Sequence, residues 1–165
     1  MKPGGAALLL AIAASVAAPA SAAEPIPAAV AAFDNYDTAG EAPESTEAHA
    51  ARVEGFAGLI ADGLASAEAY RVVPLACAAP PCSAGSMAAG ALIAAARAAG
   101  ARVLVYGGIH KMSTLIQMGK VQAVDLASER LILDQSFSFR GDTDEAFRRA
   151  AQFVVRYLED AAPAE

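Results

Sequence analysis

Three carboxylates lie within four residues near the end of the chain, at Asp142, Asp144 and Glu145. They follow Arg140 and Gly141, so the stretch also contains the tripeptide Arg-Gly-Asp. A carboxylate cluster could bind a metal ion, and the tripeptide is familiar as a cell-adhesion signal. A third interpretation is the start of a helix, because an alternating apolar pattern ends here and a helical one begins.

The start of a helix accounts for these carboxylates best. Asp142, followed three residues later by Glu145, fits a capping box in which Asp takes the place of Ser or Thr. All three carboxylates then lie at the positive end of the helix dipole, where each is stabilised by about 0.3–1 kcal/mol. The ligand pattern of an EF-hand loop is absent, and the tripeptide is common by chance. We therefore predict a helix cap formed by Asp142, Asp144 and Glu145, and no metal site.

Cys77 and Cys82 are the two cysteines of the chain, and they flank two prolines in the segment CAAPPC. A redox-active pair is more typically C-x-x-C at the start of a helix. Two cysteines close together in the loop of an exported protein favour a structural disulfide instead. We predict that Cys77 and Cys82 are bonded to each other.

The residues that could act as acids, bases or metal ligands are otherwise few. His49 and His110 are the only histidines of the sequence, and neither stands in an H-E-x-x-H or H-x-x-E-H motif. We expect His49 to be solvated on a polar helix face and His110 to occupy an edge or hairpin position. The sequence indicates no catalytic residue and no cofactor.

Lys111, Ser113 and Arg140 admit two interpretations. Arg140 is expected on the polar face of its strand, and Lys111 follows a buried strand. The first interpretation is that these residues pair with carboxylates such as Asp142 or Asp144. The second is that they form a small cationic patch for an anionic ligand or an acidic protein partner, with Met112 and Met118 exposed beside it.

Hydrophobic periodicity predicts the elements that must position these residues. A three-to-four spacing of apolar residues indicates helices, whereas alternating or continuous apolar runs indicate strands. The predicted order is β-α-β-α-β-β-β-α, over residues 28–37, 45–66, 70–75, 86–100, 101–109, 115–126, 131–140 and 143–160. We expect a single α/β (α+β) domain with a mixed sheet and helices packed on it.

The beginning of the chain is typical of a signal peptide. Lys2 precedes an apolar run and then the segment PASA, which places Ala20 and Ala22 at an A-x-A cleavage site. The apolar run is shorter than the roughly 20 residues that a membrane anchor requires. We predict a cleaved signal peptide at 1–22, a single domain at 23–165 and export of the mature protein. The net charge of −6 argues against nucleic acid as a partner.

Three stretches carry a family resemblance. They are the strand VLVYGGIHKMS, the hairpin around Asp125 and the helix start FRGDTDEAFRRAAQFV. Together they resemble the small exported proteobacterial proteins of the DUF3280/DUF2380 type, a family of unknown function. The matching residues are Lys111, Ser113, Arg140, Gly141, Asp142, Thr143, Asp144, Glu145 and Phe147. The resemblance extends from about Val30 to Leu158 and is strongest after Gly100.

The same layout is similar to the N-terminal domain of TolB and to CsgG-like periplasmic domains, which are non-catalytic modules of envelope assemblies. The family has no established reaction, and its members are associated with periplasmic quinoprotein dehydrogenase systems. The resemblance therefore implies a non-enzymatic accessory or binding protein with an unidentified periplasmic protein partner. A disulfide-stabilised periplasmic enzyme and a purely structural envelope component remain as alternatives.

Overall fold

The computed structural model describes residues 24–163, and within this range the chain forms three helices and a six-stranded mixed sheet. The elements are β1 (Ile26–Val30), β2 (Asp34–Asp37), α1 (Pro43–Ala65), β3 (Tyr70–Val72), α2 (Ala89–Ala98), β4 (Val103–Lys111), β5 (Ile116–Asp125), β6 (Arg130–Arg140) and α3 (Asp144–Asp160). The predicted fold class and the predicted order of strands and helices are confirmed. The signal peptide predicted at 1–22 lies outside the described residues.

The first predicted strand, 28–37, is divided into β1 and β2. Both halves pair with β4 in parallel, β1 with its beginning and β2 with its end. Between them, the N–H of Ala32 donates to the carbonyl of Cys82 at 2.8 Å, and Ala32 forms a bridge with Ser83. The strand is interrupted because its backbone turns at Ala32 to bind the cysteine loop instead of β4.

Strand β4 lies inside the sheet. The order is β3-β1-β4-β5-β6, with β2 also paired to β4. Strand β3 pairs with β1 in parallel, whereas β4, β5 and β6 form an antiparallel meander. Among residues 24–163 the sheet therefore ends at β6, which has a neighbouring strand from this range on one side only.

Helices α1 and α3 cover one face of the sheet. Residues of β4 alternate between the two faces, so Val103, Val105 and Ile109 point toward these helices. The main core lies between the helices and the sheet. It includes Phe56, Ile60 and Leu64 of α1, Phe137 of β6, and Phe147, Val154 and Leu158 of α3.

The opposite face is covered in part by α2. Leu92 and Ala96 of α2 pack on Ala29 and Leu104 in a smaller core. Beyond that core, the opposite side of β4, β5 and β6 carries polar and aromatic side chains, and no helix of the described residues covers it. We call this region the uncovered face. It consists of Tyr36, Tyr106, Gly108, His110, Met118, Lys120, Gln122, Asp134, Ser136 and Ser138.

A glycine permits close packing of the main core. A Cβ at Gly119 would lie 2.1 Å from the Phe137 ring of the adjacent strand. The ring of Phe137 therefore occupies the space above β5, where it stacks with Phe56 at a centroid distance of 6.4 Å. No helix within residues 24–163 is long and apolar enough to cross a membrane.

Candidate functional site

Lys111, for which a carboxylate pair and a surface patch are the two interpretations, is completely buried at the end of β4. Its ammonium group donates to Glu41 Oε2 at 2.5 Å and to Asp142 Oδ2 at 2.7 Å. A buried charge is tolerated only when it is paired and hydrogen-bonded, and Lys111 has both partners within reach. The interpretation of Lys111 as part of a cationic surface patch is therefore wrong. The other interpretation, in which Lys111 pairs with Asp142, agrees with the structure.

Two residues of α1 complete this arrangement around Asp142. His49 Nδ1 lies 3.0 Å from Asp142 Oδ1, and Arg52 donates to the same oxygen at 3.2 Å. Arg52 also donates from Nε to Asp144 Oδ1 at 2.9 Å. The expectation that His49 is solvated is wrong, because its side chain is 0% exposed. We call the group the Lys111 cluster; its members are Glu41, His49, Arg52, Lys111, Asp142 and Asp144.

The Lys111 cluster holds its central groups in their charged forms. Burial opposes ionisation of Asp142, but hydrogen bonds from Lys111 and His49 outweigh it and keep the pKa of this carboxyl below its ordinary value. Burial likewise opposes the charge on Lys111, yet hydrogen bonds to Asp142 and Glu41 raise the pKa of its ammonium. A protonated lysine is not a nucleophile. The cluster thus joins β4, α1 and the β6–α3 turn electrostatically.

The helix cap differs from the prediction. The N-cap of α3 is Thr143, whose Oγ1 accepts a hydrogen bond from the N–H of Ala146 at 3.2 Å. Asp142 precedes the cap and turns its carboxylate inward to Lys111, so its predicted capping role is wrong. Asp144 and Glu145 do lie in the first turn of α3, where negative charge is favoured by the helix dipole.

Ser113 and Arg140 do not join Lys111 in one surface. The hydroxyl of Ser113 accepts from the N–H groups of Leu115 and Ile116 at 3.3 and 3.2 Å, which shapes the turn between β4 and β5. Arg140 is exposed at the end of β6, where it pairs with Ile116. The structure thus places the three residues in an ion cluster, a turn and a strand end.

The predicted disulfide between Cys77 and Cys82 is present, with a Cα–Cα distance of 5.7 Å. The loop that follows it is held against β2 by Asp34. One carboxylate oxygen of Asp34 accepts from the Ser83 hydroxyl at 2.6 Å, and the other accepts from the Gly85 N–H at 2.8 Å. This clamp fixes the loop along one side of the uncovered face.

A groove crosses the uncovered face. Tyr36, His110, Met118 and Ser138 are consecutive cross-strand partners on β2, β4, β5 and β6. Tyr36 is 56% exposed and Met118 is 38% exposed. A methyl group at Gly108 would lie only 3.2 Å from the Tyr36 ring. Because Gly108 has no side chain, the Tyr36 ring can pack directly over the strand. The cavity has a volume of about 440 Å³.

Polar groups are distributed around the groove. His110 Nε2 and the Thr38 hydroxyl form a hydrogen bond at 2.8 Å. Lys120 pairs with Asp134 at 2.9 Å. Burial raises the pKa of the Tyr106 hydroxyl, the charge of Asp134 adds to the rise, and Lys120 opposes it. Tyr106 is therefore protonated at neutral pH and can donate a hydrogen bond. Residues 24–163 contain no group of three His, Cys, Asp or Glu side chains that could hold a metal ion.

Sequence reasoning identified Met112 and Met118 as exposed, and the structure confirms both. It missed the tyrosines beside them. Tyr106 stands in the run VLVYGGIHK, where a strict alternation places Tyr106 and His110 on the face opposite Val105 and Ile109. This alternation could have assigned Tyr106 and His110 to an exposed face. The alternation is hard to recognise because the run is apolar enough to resemble a strand that is buried on both faces.

A family model of proteins of unknown function matches residues 27–158. The chain belongs to the DUF3280 family, whose description is "Protein of unknown function (DUF2380)". The match includes every residue of the Lys111 cluster and of the uncovered face. No curated protein sequence matches the chain.

Solved structures show the same fold at low sequence identity. PelC from Paraburkholderia phytofirmans, solved as a dodecamer, is 15% identical with a TM-score of 0.52, over 88% of this chain and 94% of that one. The lipoprotein GNA1162 from Neisseria meningitidis is also 15% identical at a TM-score of 0.52, over 85% and 99%. TolB from Acinetobacter baumannii is 14% identical at 0.53; the likeness covers 84% of this chain and 28% of TolB.

Proposed function

We propose that this protein is a non-enzymatic accessory or binding protein of the periplasm that acts by contact through the uncovered face. The observation that supports this proposal best is a set of exposed apolar and aromatic side chains on and beside this face. Tyr36 and Met118 lie in the groove, and Met112, Leu115 and Ile116 lie at the tip of the β4–β5 hairpin. Exposed apolar side chains that gather in one region are typical of interaction sites.

The Lys111 cluster supports contact over catalysis. Lys111, His49 and Asp142 are side-chain types that could transfer protons, but Lys111 and His49 are completely buried and both are bonded to Asp142, whose side chain is only 13% exposed. A general base must reach the proton that it abstracts. The most chemically capable group of side chains therefore serves the fold, and the uncovered face offers the chemistry of recognition.

The fold neighbours support a place in the cell envelope. One of them is a lipoprotein and another assembles as a dodecamer. The proposed signal peptide and the disulfide agree with an oxidising compartment. Within the proposal, an envelope assembly is favoured over service to a dehydrogenase, because the similar fold of PelC occurs in an assembly of many copies.

In-cell photo-crosslinking tests the contact surface. A benzoylphenylalanine residue at position 118 should form discrete adducts in the native host, because Met118 lies in the middle of the groove. The matched control is position 54, where Glu54 is exposed on α1 and should give none. Adding Tyr36→Asp should remove the adducts at 118. Equal adducts at both positions, or none at 118, would refute the proposed surface.

Fractionation tests the location separately. The mature protein should appear in the periplasmic fraction with an N-terminus near Ala23. Edman sequencing or mass spectrometry of the purified protein identifies that residue. A cytoplasmic protein that begins at Met1 would contradict both the signal peptide and the periplasmic role.

A further inference from the structure

The outer edge of β6 is a second surface; it shares Asp134, Ser136 and Ser138 with the uncovered face, but it presents their backbone groups and not their side chains. Strand β6 is eleven residues long and ends the sheet. Proteins usually protect such an edge with proline, lysine or a bulge. Here the register shift lies at the beginning of the strand, opposite Ala123 and Val124. The following segment, Leu133 to Arg140, contains no proline and no lysine.

The pairing with β5 shows which backbone groups point outward. Ile116 and Arg140 are directly opposite, and the N–H of Gly141 donates to the Leu115 carbonyl at 3.0 Å. This bond identifies Ile116 and Arg140 as a pair that does not exchange hydrogen bonds. Because such pairs alternate, the N–H and C=O groups of Asp134, Ser136, Ser138 and Arg140 point away from β5.

One of these outward groups is already bonded by a side chain. Gln135 Nε2 donates to the Ser136 carbonyl at 2.7 Å. The amide of Gln135 thus occupies a position that the N–H of an added strand would take. The bond is exposed and local, and a side-chain rotation is enough to release the carbonyl.

Cationic and aromatic side chains of α3 line the groove beside this edge. Arg149, Phe153 and Arg156 border a cavity of about 290 Å³, together with Ser138 and Arg140 of β6. The guanidinium of Arg156 lies 5.4 Å from the centre of the Phe153 ring. Arg149 is 3.8 Å from Glu145, a loose ion pair between side chains that are both at least half exposed. Three arginines therefore gather here in a chain of net charge −6.

We propose that the β6 edge and this arginine-lined groove bind an extended acidic peptide of a partner protein, which adds to the sheet as a seventh strand. The outward N–H and C=O groups supply the main-chain hydrogen bonds of such an addition. Alternate side chains of the peptide then face α3. Carboxylates among them pair with Arg149 and Arg156, and an apolar residue lies against Phe153. We choose an acidic peptide as the occupant because its carboxylates complement the arginines that line the groove.

The probe is a fluorescein-labelled peptide of roughly ten residues, the length of a strand, in which Glu and Val alternate. Fluorescence anisotropy should show saturable binding to the full protein, and a Lys-Val peptide of equal length should not bind. Arg149→Glu combined with Arg156→Glu should weaken binding at least about tenfold, equal to about 1.4 kcal/mol. The matched control is Arg148→Glu on the same helix, which should bind as the wild type does.

A proline variant and hydrogen exchange test the strand addition itself. Ser138→Pro removes an outward N–H and leaves the ladder with β5 intact, so it should abolish binding while the protein stays folded. In wild-type protein, the peptide should slow exchange of the Ser136, Ser138 and Arg140 amides, a result that needs no variant.

Several outcomes would overturn the proposal. They are absence of binding by the Glu-Val peptide, equal binding of the Lys-Val peptide, and binding without protection of these amides. A fourth is protection of the same amides in the free protein together with a dimer in sedimentation, which would assign the edge to a second copy. Tyr36→Asp should leave peptide binding unchanged, so the outcome here is independent of the contact through the groove around Tyr36 and Met118.

Discussion

The two faces of the sheet use the same strands for opposite purposes. On β4, Val105, Ile109 and Lys111 point to α1 and α3, whereas Tyr106 and His110 point to the uncovered face. The covered face contains the buried ion pairs of Lys111, and the uncovered face contains tyrosine, methionine and paired polar groups. Chemically conspicuous residues such as Lys111 thus belong to the scaffold, and less conspicuous ones form the proposed contact surface.

The difference also concerns how much each face tolerates change. Buried ion pairs are costly to break, because the remaining charge has no solvent to stabilise it. Side chains of an exposed groove can be replaced at little cost to stability. Four expected outcomes test this contrast between the faces.

The largest effect is expected from Asp142→Asn. The substitution removes the negative charge that Lys111, His49 and Arg52 share. Lys111 keeps Glu41 as a partner, so we expect a loss of about 3 kcal/mol, at the lower end of the range for a broken buried pair. Urea denaturation measures the free energy of unfolding.

Asp144→Asn is the matched control for this substitution. Asp144 contacts the same arginine, but its side chain is 94% exposed, and exposed pairs contribute little. The control should therefore stay close to the wild type in urea. Equal losses of unfolding free energy for the two variants would show that the Lys111 cluster does not stabilise the fold through a buried ion pair.

Acidification should reveal the same cluster. The pKa of Asp142 is lower in the folded protein than in the unfolded chain, so its stabilisation is complete above the unfolded value of about 3.9. It is lost as the pH falls through the folded pKa. Wild-type protein should lose more stability between pH 7 and pH 3 than Asp142→Asn does, in urea titrations at each pH. Parallel pH curves for the two proteins would contradict this account.

A smaller effect is expected from Gly119→Ala, because a methyl group at this position meets the Phe137 ring at 2.1 Å. Overpacking of this kind costs about 1–3 kcal/mol. Gly58→Ala is the counterpart, since Gly58 lies in α1 with nothing within 4 Å of its missing Cβ. That variant should gain up to about 1 kcal/mol from helix propensity. Thermal denaturation compares the two, and a stabilised Gly119→Ala would show that the core yields there.

The smallest effect on stability is expected on the uncovered face. Met118→Glu should change the free energy of unfolding by no more than about 0.5 kcal/mol, as is usual for a surface substitution. With benzoylphenylalanine placed at position 36 instead of 118, the same variant should lose the adducts that form when Met118 is present. A marked loss of stability would mean that Met118 belongs to a core, and the contrast between the two faces would then fail.

The helices and strands were predictable because their periodicity is local. Val53, Phe56, Ile60 and Leu64 mark the buried side of α1 by spacing alone. The arrangement around Asp142 was not predictable, since Asp142 and Thr143 both suit an N-cap. The choice depends on Lys111 and on His49, which is 93 residues away in sequence. Such long-range pairing leaves no local pattern.

The burial of Lys111 has a practical consequence for handling the protein. Lys111 and Lys120 are the lysines of the described residues, and the Lys111 amine is inaccessible. Of these two lysines, amine-reactive reagents will therefore modify Lys120, which is half exposed on the uncovered face. Molecules coupled to a sensor surface through Lys120, and not through the α-amino group, would be immobilised with that face toward the support and hidden from a partner. Conversely, protection of Lys120 from acetylation by a partner would report occupancy of the groove at a single residue.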